Sequence, residues 1–239
     1  MSANSWAIQK QQLVQTEGLT RFTGWLFQQI EPFLKGAVWE AGCGTGTYTQ
    51  HMLSRGCGPI VATDLDEDVL TVAQQRFNGD PRVAVLKLDL NKPDEYRKLT
   101  RHQIQTIVCL NVLEHLEDDR MVLRQMRQLL PPGGRLLLLV PAHPVLFNGI
   151  DESVHHYRRY TARELRDKLE GARFRIVRSY QFNALGIIGW VLYGHILGRR
   201  CVPETPAALF DRVIPLARWA ERVVLRGRVG VSLIAICEA

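Results

Sequence analysis

Five short apolar runs recur along the first 140 residues, and each meets a helix-length stretch before the next begins. They are Ala37–Ala41, Pro59–Thr63, Val83–Leu88, Gln105–Leu110 and Arg135–Val140. Runs of this length and β-branched content read as strands buried on both faces. Between them, residues 48–53, 67–77, 94–102 and 118–130 carry apolar positions at helical spacing. Strands alternating with helices demand a parallel sheet built from right-handed crossover units. Residues 5–30 read as a helix before the first strand. The rhythm breaks in the last third. Thr161 caps a helix that Gly171 ends, Phe174–Phe182 reads as a strand, residues 183–230 are loosely patterned, and Val231–Cys237 is a terminal strand.

The first strand runs into Glu40-Ala41-Gly42-Cys43-Gly44-Thr45-Gly46. A strand, a glycine loop and a helix can bring backbone close to a ligand. The spacing narrows the ligand. The third glycine falls one residue too early for a dinucleotide fingerprint, and no lysine follows Gly46 as a P-loop requires. Glu40 would repel a phosphate and suits a ligand bearing a cationic amine.

This loop resembles motif I, Glu/Asp-x-Gly-x-Gly-x-Gly, of the class I S-adenosylmethionine-dependent methyltransferases, small-molecule type. The likeness covers residues 36–182 and the final strand. It implies an α/β, Rossmann-like, mostly parallel, doubly wound sheet of seven strands. The last strand would be antiparallel, with an insertion between strands six and seven. It implies S-adenosylmethionine as cofactor, with Glu40, Gly42, Cys43, Gly44 and Gly46 in the loop. Asp64, 18 residues after Gly46, would take both ribose hydroxyls, and a carboxylate accepts two such donors. Leu65 would lie on adenine, Asp89-Leu90 would meet the adenine amine, and Asn111 would end the fourth strand at the site. Cys43 reads as a packing residue rather than a nucleophile. The chain is expected to be one domain. Its parts would be N-terminal helices (1–35), a cofactor-binding core (36–182), an insertion or lid (183–230) and a last strand (231–239).

Methyl transfer to a hydroxyl or ammonium needs alignment and a base for the acceptor's proton. His115, His143, His155, His156 and Tyr157 follow strands four and five, and the sequence does not choose among them. The long non-periodic connection at 143–160 favours a substrate loop.

Charge bears on the acceptor. The formal net charge is +6, and residues 1–150 hold as many acidic as basic side chains, so the excess lies in the last third. Basic surface can meet nucleic acid, membrane or an anionic small molecule. The family's base-flipping Asp/Asn-Pro-Pro-Tyr/Phe motif is replaced by Asn111-Val112-Leu113-Glu114, and no Pro-Cys pair occurs. A small-molecule or lipid-linked acceptor is therefore expected over nucleic acid or protein, with a non-catalytic cofactor-binding module as the contrasting class. Ala184–Gly198 is apolar but shorter than a membrane span. It reads as a buried helix, a lid, or an interfacial segment giving peripheral membrane contact through residues 184–200. Five widely spaced cysteines without a C-x-x-C pair predict neither a disulfide framework nor a metal site. The first ten residues do not resemble a secretory leader, which predicts a cytoplasmic protein.

Overall fold

The structure is a computed structural model that describes residues 18–239. The helix expected over 5–30 is seen as α1, Thr20–Ile30; its first residues lie outside the described ones. Seven strands follow: β1 Val38–Ala41, β2 Ile60–Asp64, β3 Val83–Lys87, β4 Thr106–Leu110, β5 Arg135–Pro141, β6 Arg175–Phe182 and β7 Ser232–Glu238. They form one sheet in the order β3-β2-β1-β4-β5-β7-β6. Strands β1 to β5 are parallel, and β7 runs antiparallel to both β5 and β6. This is the expected doubly wound sheet with an antiparallel last strand.

Two-residue periodicity divides the core into two layers. Trp39, Ile107, Cys109, Leu136, Leu138 and Ala235 face one side, beneath α4 (Asp119–Leu129) and α6 (Ala162–Gly171), with the short α5 (Gly149–Ser153) between those two in the chain. Val38, Ile60, Val108, Leu137, Leu139 and Ile234 face the other, beneath α1, α2 (Thr47–Ser54) and α3 (Glu67–Arg76). Three helix starts carry side-chain caps, Thr161 among them as expected. The Asp66 side chain accepts from Asp68 N at 2.8 Å, Asp118 from Met121 N at 2.9 Å, and Thr161 from Glu164 N at 3.1 Å. Each satisfies a backbone donor left free by the first helical turn.

Residues 94–102 are helical as expected, as a 3₁₀-helix over Pro93–His102. The helix capped by Thr161 ends at Gly171, also as expected. One expectation needs correction: the loosely patterned insertion is helical. Helix α7, Ala184–Trp190, continues as a π-helix over Val191–Ile196, and α8, Glu204–Ala220, continues as a π-helix over Glu221–Leu225.

Nor is the apolar run at 184–198 a core helix. Ile188 is 65% exposed and Ile196 69%. The inner side of α8 repeats at Ala207, Phe210, Ile214 and Ala217, packing toward α1. Asp211 accepts from the backbone N–H of Phe22 at 2.8 Å, so the insertion caps the start of α1. Among the described residues no helix is long and apolar enough to cross a membrane.

Candidate active site at the carboxyl ends of the strands

The glycine loop closes on the end of β2. Gly42 N and Cys43 N both donate to the Thr63 carbonyl, at 2.8 and 2.9 Å. Gly42 has φ +74°, and a Cβ there would lie 2.3 Å from Val112 Cγ2. Gly46 has φ +90°, and a Cβ there would strike the Phe77 ring at 2.4 Å. Both positions need glycine for conformation and for space. The closely approached backbone leaves the loop able to cradle a ligand.

Asp64 organises this loop. Its carboxylate accepts from Gly44 N at 2.9 Å, Leu65 N at 2.7 Å and Asp66 N at 3.1 Å. Three of roughly four acceptor positions are in use, which fixes the group and leaves capacity for a hydroxyl. Burial raises the Asp64 pKa, opposed by those N–H groups. Glu40, buried at the end of β1, accepts from the Thr49 hydroxyl. Burial pushes its pKa up to about 8, Thr49 opposes that, and the neighbouring Asp64 adds to it. A cationic amine brought here would relieve the burial penalty.

The remaining strand-end residues fall around the same edge. Leu65 is 45% exposed, free to cover an aromatic ring. Asp89 accepts from Asn91 N at 3.0 Å, with Lys92 Nζ 3.5 Å away. Leu90 is buried in the core, and its carbonyl takes the Tyr96 hydroxyl at 2.9 Å. Asn111 follows β4 directly, exposed, with φ +53°. Cys43 is buried against Ala62 and Leu70, and its burial holds the thiol well above its ordinary pKa, as a packing residue requires.

The candidate bases do not form one group. His143 Nε2 lies 3.0 Å from Gln181 Oε1 and 3.1 Å from the Gly230 carbonyl, so this ring clips the loop after β5 to both ends of the insertion. Tyr157 is 54% exposed, with the Arg158 guanidinium over its ring. His155 has φ +61° and is half-buried. His156 is different. Its Nδ1 lies 2.8 Å from Asp151 Oδ1, its Nε2 3.8 Å from Glu114 Oε1, and its ring 4.7 Å from that of His115.

Glu114 and His115 sit in the 3₁₀ turn Leu113–His115 that follows β4. Glu114 is fully buried, and burial pushes its pKa up to about 7, opposed by His156. Burial and His156 bring the pKa of His115 down to about 3. Asp151 is fully buried too, with Arg159 Nε at 2.9 Å; the Arg159 guanidinium lies 4.4 Å from the centre of the Trp190 ring. The insertion thus touches the connection at 143–160 through a cation–π contact.

Sequence reasoning missed Glu114, Asp151 and Arg159 as a supporting set. The available signal was the adjacent Glu114-His115 pair directly after a strand end. The glycine loop and this cluster share one end of the sheet, since Val112 packs on Gly42 and Tyr157 N donates to the Glu114 carbonyl at 2.8 Å. That end is where open α/β sheets take ligands.

A family model described as a methyltransferase domain matches residues 39–136. The chain is 27% identical over 120 residues to the tRNA U34 carboxymethyltransferase of Pseudoalteromonas atlantica, covering 48% of this chain and 36% of that protein. It is 27% identical over 114 residues to the ubiquinone biosynthesis O-methyltransferase of Aeromonas salmonicida, covering 48% and 47%. The match thus spans less than half the length of either relative. An S-adenosylmethionine-dependent methyltransferase from Mesorhizobium loti shares the fold, with TM-score 0.59 and 15% identity over 89% of this chain and 96% of that one.

Proposed function

We propose that this chain, a member of the class I S-adenosylmethionine-dependent methyltransferase family, methylates a small-molecule or lipid-linked acceptor presented at an anionic membrane surface. Bound S-adenosylmethionine supplies a methyl group on a sulfonium, whose departure leaves a neutral thioether. The protein need not protonate that leaving group. Its work is to align the acceptor and exclude water.

Glu40 would receive the amine of the cofactor, Asp64 a ribose hydroxyl, Leu65 the adenine face and Asp89 the adenine amine. Glycine at 42 and 46 lets the loop hold its left-handed turns close against Val112 and Phe77. The acceptor's proton would leave toward the Glu114, His115 and His156 group. Of the candidate bases, His115 and His156 meet at Glu114, and the orientation of His156 is fixed by a carboxylate, Asp151.

The observation that carries the acceptor class is the outward face of the insertion. Ile188, Leu192 and Ile196 repeat every four residues and are exposed, as are Leu209, Val213, Leu216, Trp219 and Val223 along the second helix. Residues 183–230 hold seven arginines against three acidic residues. Apolar side chains interleaved with cations suit insertion among anionic headgroups. Because Trp190 lies on Arg159, this surface is coupled to the substrate loop.

Flotation with phosphatidylglycerol vesicles tests the reading. Binding is expected to anionic vesicles and to be lost in Leu216→Ser/Trp219→Ser. A second arm uses deuterated-methyl cofactor on cell extract, with label expected in the lipid or small-molecule fraction. Label confined to tRNA or protein, or no flotation, overturns the acceptor class.

A further inference from the structure

We propose that Glu114, His115 and His156 bind one divalent first-row transition-metal ion. One ligand atom from each side chain lies within 4.8 Å of the others. Ligands about 2.0–2.1 Å from a common ion stand roughly 3.3 Å apart. His156 Nε2 and Glu114 Oε1 are already at 3.8 Å, so rotamer adjustments close the set. The two imidazole rings meet edge to face, at 76°, an arrangement that lets both aim at one point.

Two independent observations point to a ligand. First, Glu114 is fully buried, and among the described residues neither of its carboxylate oxygens receives a hydrogen bond from another residue. Native proteins rarely leave such a group unserved, because an unpaired buried carboxyl forfeits its hydration. At 3.8 Å the nearest His156 nitrogen is too far for a hydrogen bond. A cation between them resolves both.

Second, the supporting groups of a metal-bound histidine are in place. His156 Nδ1 is 2.8 Å from Asp151 Oδ1, which directs Nε2 toward Glu114. Asp151 is itself held by Arg159 Nε and by Asn148 N at 3.1 Å. A carboxylate behind a histidine fixes the ring and raises its basicity as a ligand. Two imidazoles and one carboxylate leave further coordination positions for water or substrate, and the set favours zinc, iron(II) or cobalt(II) over magnesium or calcium. Resting on the function proposed above, such an ion would hold the acceptor's oxygen or nitrogen beside the cofactor loop and acidify it, so that in the metal-bound protein the proton leaves to solvent and the three side chains act as ligands rather than as the base.

Cobalt(II) is the probe, added to metal-stripped full-length protein and followed by visible absorption and calorimetry. One equivalent is expected to bind with d–d bands and to be displaced by zinc. Glu114→Gln and His156→Asn should each weaken cobalt affinity at least about tenfold while cofactor affinity holds. Asp64→Ala should do the reverse, losing cofactor and keeping cobalt, which separates failure of this inference from failure of the family assignment. Glu114→Gln removes a charge without volume, so it reports even where His156→Asn does not fold. Substoichiometric cobalt, or unchanged cobalt affinity in the Glu114→Gln protein, overturns the proposal.

Discussion

Glu40 puts stability and ligand binding in opposition within one side chain. Its carboxyl loses a proton near 4.5 in the unfolded chain but only near 8 when folded, because burial disfavours the charge. The native state therefore holds the extra proton between those values. The stability this group contributes is fully present below pH 4.5 and falls as pH rises toward 8. Glu40→Gln should remove that slope, leaving the variant more stable than the parent by about 4 kcal/mol at pH 8 and nearly equal to it at pH 4.5. Urea denaturation of the cofactor-free proteins at the two pH values measures it. The same variant should bind S-adenosylmethionine at least about tenfold more weakly by calorimetry. Gly42→Ala should cost about 2 kcal/mol in the same denaturation assay, since a left-handed residue and a 2.3 Å collision with Val112 coincide. These residues were legible in the sequence because a glycine loop is a local demand on backbone shape. The partners of His156 were not. Asp151 reaches it from five residues back and Glu114 from another strand end, and no short-range pattern records that meeting.

Among the elements, α4 and α6 are joined by a buried charge at the start of α4. Asp119 accepts from the Tyr160 hydroxyl at 2.8 Å, from Lys168 Nζ at 2.5 Å and from Arg158 Nη1 at 2.9 Å. These donors hold the Asp119 carboxyl below its ordinary pKa against the penalty of burial. Asp119→Ala leaves Lys168, itself buried, without this partner and should cost about 3–5 kcal/mol by denaturant unfolding. Loss of less than about 1 kcal/mol would contradict that account. The elements of the sheet core were readable because apolar runs and caps are local. The insertion was less so. Pro215 sits inside α8, and its inward positions 207, 210, 214 and 217 include two alanines. That weak stripe finds its meaning only against α1. The apolar run at 184–198 was visible but not its exposure, since amphipathic character depends on what the rest of the chain leaves uncovered.

At the scale of the whole molecule, charge is sorted by place. Four of the six excess positive charges belong to residues 183–230, the segment with the outward apolar stripes. If that segment meets anionic headgroups, raising salt from about 0.1 M to about 1 M should release most of the protein from phosphatidylglycerol vesicles, because the Debye length shrinks to about 3 Å. Vesicle binding unchanged by salt would assign attachment to apolar insertion alone.

The strand order has a consequence for how the chain reaches this state. Strand β7 lies between β5 and β6, so the strand made last in chain order sits inside the sheet. A nascent chain that has emerged through Phe182 holds β6 but nothing to pair it with. The arginine-rich helices of the insertion leave the ribosome next, before the sheet can close. Until residues 232–238 arrive, β5 keeps an open apolar edge, and such edges invite wrong pairings. Pulse-labelled hydrogen exchange during refolding should find the β6 and β7 amides protected after those of β1 and β4. The helices proposed to face a membrane are thus exposed to whatever surface lies near the ribosome while the sheet they join is still unfinished.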